Sequence, residues 1–167
     1  MVHHATNGAE AFCTLESNDA GVLLSRMKHG VVPRAMLNIR WFAEHALDLQ
    51  HRPIETEQAT HTVRHDPAGV VVIITPWNAP IFTAGWQIAP ALATGNSVVL
   101  KPSEKSPLSA LRIAELAIEA GIPEGVFNVV PGFGRGAGEP LAMHMDVDGL
   151  VFTGSTAVGK HLMVCAG

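Results

Sequence analysis

The chain has 167 residues, 47% of them hydrophobic and 16% charged, with a formal net charge of −4; this is the balance of one soluble globular body with a real core, and with no cluster of Lys and Arg it excludes a nucleic-acid partner. No apolar run reaches the ~18–20 residues that span a bilayer, and the first residues, Met1 to Thr6, lack the charged-then-apolar layout of a secretory signal, so no membrane partner is expected and the cytoplasm is the expected compartment. Cys13 and Cys165 lie far apart with no second Cys or patterned His near either, which signals neither a disulfide framework nor a metal site.

Over residues 32–49, Met36, Leu37, Ile39, Phe42, Ala43, Ala46 and Leu47 recur at steps of three and four, which predicts an amphipathic helix. Residues 50–68 turn polar, with Pro53, Pro67 and three histidines, and read as a connection with room for an edge strand. From Gly69 the pattern changes to short β-branched runs separated by longer helical ones, as in a parallel sheet buried on both faces. Strands are expected over 70–74, 97–100, 126–130 and 149–152. The first helix between them carries Ile81, Phe82, Trp86, Ile88, Ala89 and Leu92 and ends at the Gly95-Asn96 turn. The second starts at Pro107, carries Leu108, Leu111, Ile113, Leu116 and Ile118, and stops at Gly121. A glycine-rich stretch, Gly132, Gly134, Gly136 and Gly138, leads to a short helix near 140–144, and a last helix begins at about Ala157. The fold expected is α/β, a Rossmann-like doubly wound parallel sheet preceded by N-terminal helices, with residues 1–66 as the helical segment and connection and 67–167 as an incomplete dinucleotide-binding βαβ domain.

In such sheets ligands bind beyond the carboxyl ends of the strands, so the residues that follow each strand carry the information. After the first comes Thr75-Pro76-Trp77-Asn78. Pro76 fixes the backbone, and the Asn78 amide can donate to an oxygen gaining negative charge. Position alone favours the simpler reading of Asn78 as a cap on the next helix. After the second strand, Lys101 and Glu104 could bracket a ribose, or be a surface Lys and a first-turn Glu that suits the helix dipole. After the fourth, Gly154-Ser155-Thr156-Ala157-Val158-Gly159 has dinucleotide-fingerprint spacing with Thr for the middle Gly, where backbone N–H groups and the Ser155 hydroxyl suit a pyrophosphate. Glycines there also serve tight turns and close helix packing. The Gly132–Gly138 stretch reads as a wall of the same cleft. His3, His4, His61 and His65 have no carboxylate or thiol at ligand spacing and read as solvated side chains, so no metal is expected. Tyrosine is absent, which removes oxidoreductases that protonate a carbonyl through a Tyr paired with Lys.

Taken in order, Pro76-Trp77-Asn78, Lys101-Pro102-Ser103-Glu104, Gly121-Ile122-Pro123-Glu124-Gly125 running into Val126-Phe127-Asn128-Val129-Val130, Gly132-Phe133-Gly134 and Phe152-Thr153-Gly154-Ser155-Thr156 closely resemble the aldehyde dehydrogenase superfamily. Residues 15–21 and 39–43 match its amino-terminal helices more loosely. The resemblance implies a partial aldehyde dehydrogenase fold and oxidation of an aldehyde to a carboxylic acid through a thiohemiacetal, with NAD as acceptor and NADP possible beside Lys101 and Lys105. It implies that Asn78 is the side-chain half of the oxyanion hole, that Lys101 and Glu104 hold the adenosine ribose, and that Ser155 meets the pyrophosphate. Ile74, Thr75, Pro76, Trp77, Gly134, Gly138, Phe152 and Val158 would line the cofactor cleft. It further implies that the family's base Glu, nucleophilic Cys and catalytic domain lie beyond Gly167, so that the chain alone is expected to be inactive, and that the full-length enzyme is a homo-oligomer. At subfamily level the stretches around Trp77 and Trp41 look similar to members acting on semialdehydes of aromatic catabolism, such as 5-carboxymethyl-2-hydroxymuconate semialdehyde. The competing expectation is a non-catalytic nucleotide-binding or interaction module of the same fold.

Overall fold

The computed structural model describes residues 8–49 and 52–166; His3, His4 and the rest of the opening stretch lie outside it. Helix α1 (Ala9–Ala20) ends at Gly21, whose φ of 70° is the left-handed cap that glycine adopts without strain. A helical turn, Leu24–Arg26, runs through a π-helical segment, Met27–Val31, into α2 (Val32–His45). Pro33 has no N–H to close the regular ladder at this junction, and a widened turn is where a helix absorbs such a gap. The expected helix to residue 49 is regular only to His45, then tightens into one 3-10 turn, Ala46–Asp48. There the His45 ring stacks on Trp41 at 3.9 Å between centroids, and its Nδ1 lies 2.8 Å from the Trp41 carbonyl.

The polar stretch expected as a connection with an edge strand holds two strands, β1 (Arg52–Glu55) and β2 (Thr60–Val63), paired antiparallel from Arg52↔Val63 to Glu55↔Thr60. Their alternation is weak because no face of β2 is buried among the described residues. Every side chain of β2 is exposed, so period-two burial never arises.

The main sheet contains β3 (Val70–Ile74), β4 (Ser97–Lys101), β5 (Phe127–Val129) and β6 (Gly149–Phe152), all parallel in the order β5-β4-β3-β6. Helices α3 (Pro80–Ala93) and α4 (Leu108–Glu119) connect the first three strands. A π-helical turn, Gly134–Gly138, with the short α5 (Glu139–Ala142), leads to β6, and α6 (Thr156–Ala166) follows. Strand periodicity divides the core. Val71 and Ile73 point with Val98 and Leu100 into a layer shared with Ile81, Ile88 and Ile113 from α3 and α4, and with Phe12, Met27, Val32 and Ala35 from the N-terminal helices. Val72 and Ile74 point the other way, with Ala142 and Leu162. A side chain such as Ile73, wholly removed from water, contributes about 2–3 kcal/mol.

Two remote carboxylates of α1 start the sheet-covering helices. Neither α3 nor α4 has a capping side chain of its own; Glu16 accepts the Ile81 N–H and Asp19 accepts the Leu108 N–H at 2.8 Å. Their spacing of three puts both on one face of α1.

Candidate functional site

Parallel strands end at one edge, and the residues leaving them are hydrogen-bonded side by side. The Thr75 N–H donates to the Lys101 carbonyl at 3.2 Å, Thr153 to Ile74 at 3.1 Å and Val130 to Leu100 at 2.9 Å. From β3 the chain moves outward through β4 and β5, then crosses back to place β6 on the other side of β3. The connections diverge between β3 and β6, which leaves a crevice at that point. A cavity of about 650 Å³ occupies it. Its walls are Ile74 at the end of β3, Gly134, Arg135, Gly138 and Glu139 from the glycine-rich turn, and Ala157, Val158, His161 and Leu162 from the start of α6.

Of the residues expected in a cofactor cleft, Ile74, Gly134, Gly138 and Val158 therefore share one cavity. Gly138 forms its floor. A Cβ built there would lie 3.8 Å from Ile74 Cδ1 and 3.9 Å from Lys101 Cδ, so any longer side chain would grow into the space. Lys101 lies just behind, 4% exposed, with Nζ 3.5 Å from Glu104 Oε2. That ion pair gives the ammonium a carboxylate partner while its stem is buried, and it joins the two residues that the sequence put around a ribose.

Thr75 is buried, and Pro76 partly so. Trp77 is half exposed; its carbonyl accepts the Ser106 hydroxyl at 3.0 Å, and Lys105 Nζ lies 5.7 Å from its ring centroid. The buried Ser106 thus fastens the turn after β4 to the turn after β3. Asn78 is exposed and does not cap α3, whose N-cap is Ala79. The capping expectation gives way: Ala79 stands between Asn78 and the helix start at Pro80, and Glu16 supplies the acceptor instead. Among the described residues the Asn78 amide has no hydrogen-bond partner, and neither Trp77 nor Asn78 lines the cavity.

Ahead of the α6 wall, and not itself lining the cavity, Ser155 Oγ accepts the Val158 N–H at 3.3 Å, an N-cap for α6 that leaves the hydroxyl proton free to donate. The first-turn N–H groups of α6 have no intrahelical partners and suit an anionic group. Gly154 and Gly159 serve close packing. A Cβ on Gly154 would collide with the Phe152 ring, and one on Gly159 would meet it at 3.3 Å. Phe152 fills the space between strand end and helix and does not line the cavity.

Sequence reasoning missed Glu139, Ala157, His161 and Leu162 as cavity residues, while Arg135 falls in the glycine-rich stretch expected as a wall. A signal existed, since His161 and Leu162 fall three and four residues after Val158 on one helical face. The expectation that no patterned His lies near Cys165 is corrected as well. His161 is one turn earlier on α6, with Nε2 3.7 Å from Cys165 Sγ.

Strand order and crevice define a Rossmann-like α/β fold with its cavity at the reversal of the sheet. The profile of the aldehyde dehydrogenase family matches residues 2–167. The chain is 47% identical over 161 residues to the NADP/NAD-dependent aldehyde dehydrogenase PuuC of Escherichia coli (strain K12), covering 95% of this chain and 32% of PuuC. It is 44% identical over 155 residues to a 5-carboxymethyl-2-hydroxymuconate semialdehyde dehydrogenase of Escherichia coli, covering 92% and 33%. The crystal structure of the aldehyde dehydrogenase KauB from Pseudomonas aeruginosa superposes with a TM-score of 0.96 at 51% identity over 99% of this chain and 34% of KauB. The indole-3-acetaldehyde dehydrogenase AldA of P. syringae, a C302A mutant in complex with NAD+ and IAA, does so with a TM-score of 0.96 at 48% identity over 99% and 34%. The chain belongs to the aldehyde dehydrogenase family and spans about a third of the length of these relatives. No helix among the described residues is long and apolar enough to cross a membrane.

Proposed function

We propose that the chain is the cofactor-binding third of an NAD-dependent aldehyde dehydrogenase and that the cavity between β3 and β6 takes the adenosine half of the dinucleotide. The observation that carries this reading is the meeting of three separately encoded parts at one switch point: the end of β3, the Gly134–Gly138 turn and the first turn of α6. Apolar walls at Ile74, Val158 and Leu162 suit a flat base, and the Lys101 and Glu104 pair lies behind the floor where ribose hydroxyls need a donor and an acceptor. The Ser155 hydroxyl and the amides beside it suit the pyrophosphate. NAD, when bound, accepts the hydride that leaves the aldehyde carbon.

On the substrate side, Asn78 is the residue of this chain we assign to the chemistry. Its amide, without a partner among the described residues, donates to the carbonyl oxygen as negative charge collects there, a contact stronger in the transition state than before it. Ser106, holding the Trp77 carbonyl, steadies that turn. The nucleophile and the base of the reaction belong to the remaining length of the enzyme, and the 167 residues alone bind cofactor weakly and oxidise no aldehyde. Exposed Leu37, Trp41 and Trp86 form an apolar area suited to that remaining part or to a second subunit. The Glu104 carboxylate disfavours a 2′-phosphate and so favours NAD over NADP.

The test is NAD binding to the chain, followed by saturation-transfer NMR, against Gly138→Leu. Gly138 has an ordinary helical φ of −66°, so the substitution fills the cavity without backbone strain. Loss of the NAD signal with an unchanged circular dichroism spectrum is expected. NAD binding that survives Gly138→Leu would place the cofactor elsewhere.

A further inference from the structure

At the rim of the same cavity three donor atoms of different chemistry converge. His161 Nε2 lies 3.5 Å from Glu139 Oε1 and 3.7 Å from Cys165 Sγ, and all three atoms fall within 4.8 Å of one another. His161 and Cys165 are four residues apart on one face of α6, and Glu139 opens α5 opposite them. Nothing in the cofactor reading uses Cys165, and the aldehyde chemistry uses none of the three.

Two chemistries use Cys, His and a carboxylate together, and the ring atoms separate them. In a nucleophile relay the two imidazole nitrogens are divided, one to the thiol and the other to the carboxylate. Here sulfur and carboxylate both approach the same Nε2, so no proton path runs through the ring. Three atoms facing a common point is the arrangement of metal ligands. A tetrahedral zinc ion with ordinary bond lengths sets its sulfur and imidazole ligands ~3.6 Å apart and its imidazole and carboxylate ligands ~3.4 Å apart. The sulfur-to-imidazole and imidazole-to-carboxylate spacings match these within ~0.1 Å, and the sulfur and carboxylate lie within 4.8 Å of each other. A thiolate, a neutral imidazole and a carboxylate together carry two negative charges, enough to neutralise a divalent ion, and the soft sulfur favours zinc or cobalt over magnesium or calcium.

We infer that Glu139, His161 and Cys165 form a three-ligand site for a borderline-soft divalent cation such as Zn2+, with its fourth position open to solvent. The site shares Glu139 and His161 with the lining of the cavity in the proposed cofactor reading, but does not rest on that reading. It is tested by titrating the reduced 167-residue chain with Co2+. One equivalent is expected to produce the d–d bands of a tetrahedral ion and a thiolate-to-metal charge-transfer band, both bleached by one equivalent of Zn2+. Cys165→Ser is expected to remove the charge-transfer band, and His161→Ala and Glu139→Gln to weaken binding at least about tenfold. Cys13→Ser, altering the other thiol, should leave the spectrum intact. His161 and Cys165 are not buried in the core, so circular dichroism of their variants should match the parent chain. An octahedral aquo-ion spectrum throughout, or a charge-transfer band that persists in Cys165→Ser, overturns the site.

Discussion

The Glu16 carboxylate of α1 accepts the Ile81 N–H at the start of α3 through both oxygens, at 3.0 and 3.3 Å, across 65 positions of sequence. The side chain is wholly removed from solvent. It satisfies an amide that α3 cannot satisfy itself, and it does so with an acid that burial disfavours in its charged form.

Burial pushes the Glu16 carboxyl up to about 7 from an ordinary 4.5, against the opposing pull of the Ile81 N–H. Between those values the folded chain holds a proton that the unfolded chain has lost. Stability is therefore fully present below about pH 4.5, falls as pH rises toward 7 and is level above, a loss on the order of 3 kcal/mol from this residue. Glu16→Gln keeps an acceptor without the ionisation. Its urea midpoint should vary less than that of the parent chain between pH 5 and 8 and exceed it at pH 8. Glu16→Ala should lose about 2 kcal/mol below about pH 4.5, because the Ile81 amide is left buried and unpaired, and progressively less as pH rises toward 7, where the parent loses the Glu16 contribution itself. A parent and Glu16→Gln profile of equal slope would refute the assignment.

Asn96 uses its whole amide. Its oxygen accepts the N–H groups of Ala68 and Gly69 at 2.7 and 3.1 Å, and its nitrogen donates to the Ala91 carbonyl and the Thr94 hydroxyl at 3.0 and 2.9 Å. One side chain thus joins the end of α3 to the entry of β3. Asn96→Ala should destabilise by about 2–3 kcal/mol, and Asn96→Asp nearly as much, since it keeps the acceptor and loses both donors. Chemical denaturation of the two variants measures this; an alanine variant within 0.5 kcal/mol of the parent, roughly the range of an ordinary surface change, would contradict it.

Gly154 faces the ring of Phe152, which Gly159 also approaches. Gly154→Ala should cost about 1–3 kcal/mol by overpacking. Adding Phe152→Leu should recover part of that cost, so the double mutant should be less destabilised than the sum of the single changes. Strict additivity in thermal melts would show that the glycine is required for something other than the ring.

Glu104, a third exposed and 3.5 Å from Lys101 Nζ, is the charge that a 2′-phosphate would meet under the proposed function. Glu104→Gln should narrow the preference for NAD over NADP by roughly threefold to tenfold, the effect of ~1 kcal/mol at a partly solvated site. Competition titrations with the two dinucleotides read the ratio directly; an unchanged ratio would remove Glu104 from the ribose.

Much of this molecule is legible in one dimension. Val70 to Ile74, Ser97 to Leu100 and Gly149 to Phe152 are β-branched or apolar runs too short for helices, and the unbroken burial of Val71 to Ile74 follows from the sheet being covered on both faces. The ordered turn motifs after the strands carry the family resemblance, and the profile match over residues 2–167 agrees with it. The ribbon of β1 and β2 was not legible, because exposed strands leave no burial rhythm to read.

What tertiary structure alone decided are relationships between distant positions. Sequence marked Asn78 as a candidate cap, but only the packing of α1 against α3 shows that Glu16 takes that work, leaving the Asn78 amide without a partner among the described residues. Local spacing put His161 one turn from Cys165, yet their convergence with Glu139 needs the crossing of β6 back beside β3. The physical reason is common to both. A chain's periodicity records which face of an element is buried, whereas capping, ligation and cavity walls depend on which elements meet, and that is set by strand order.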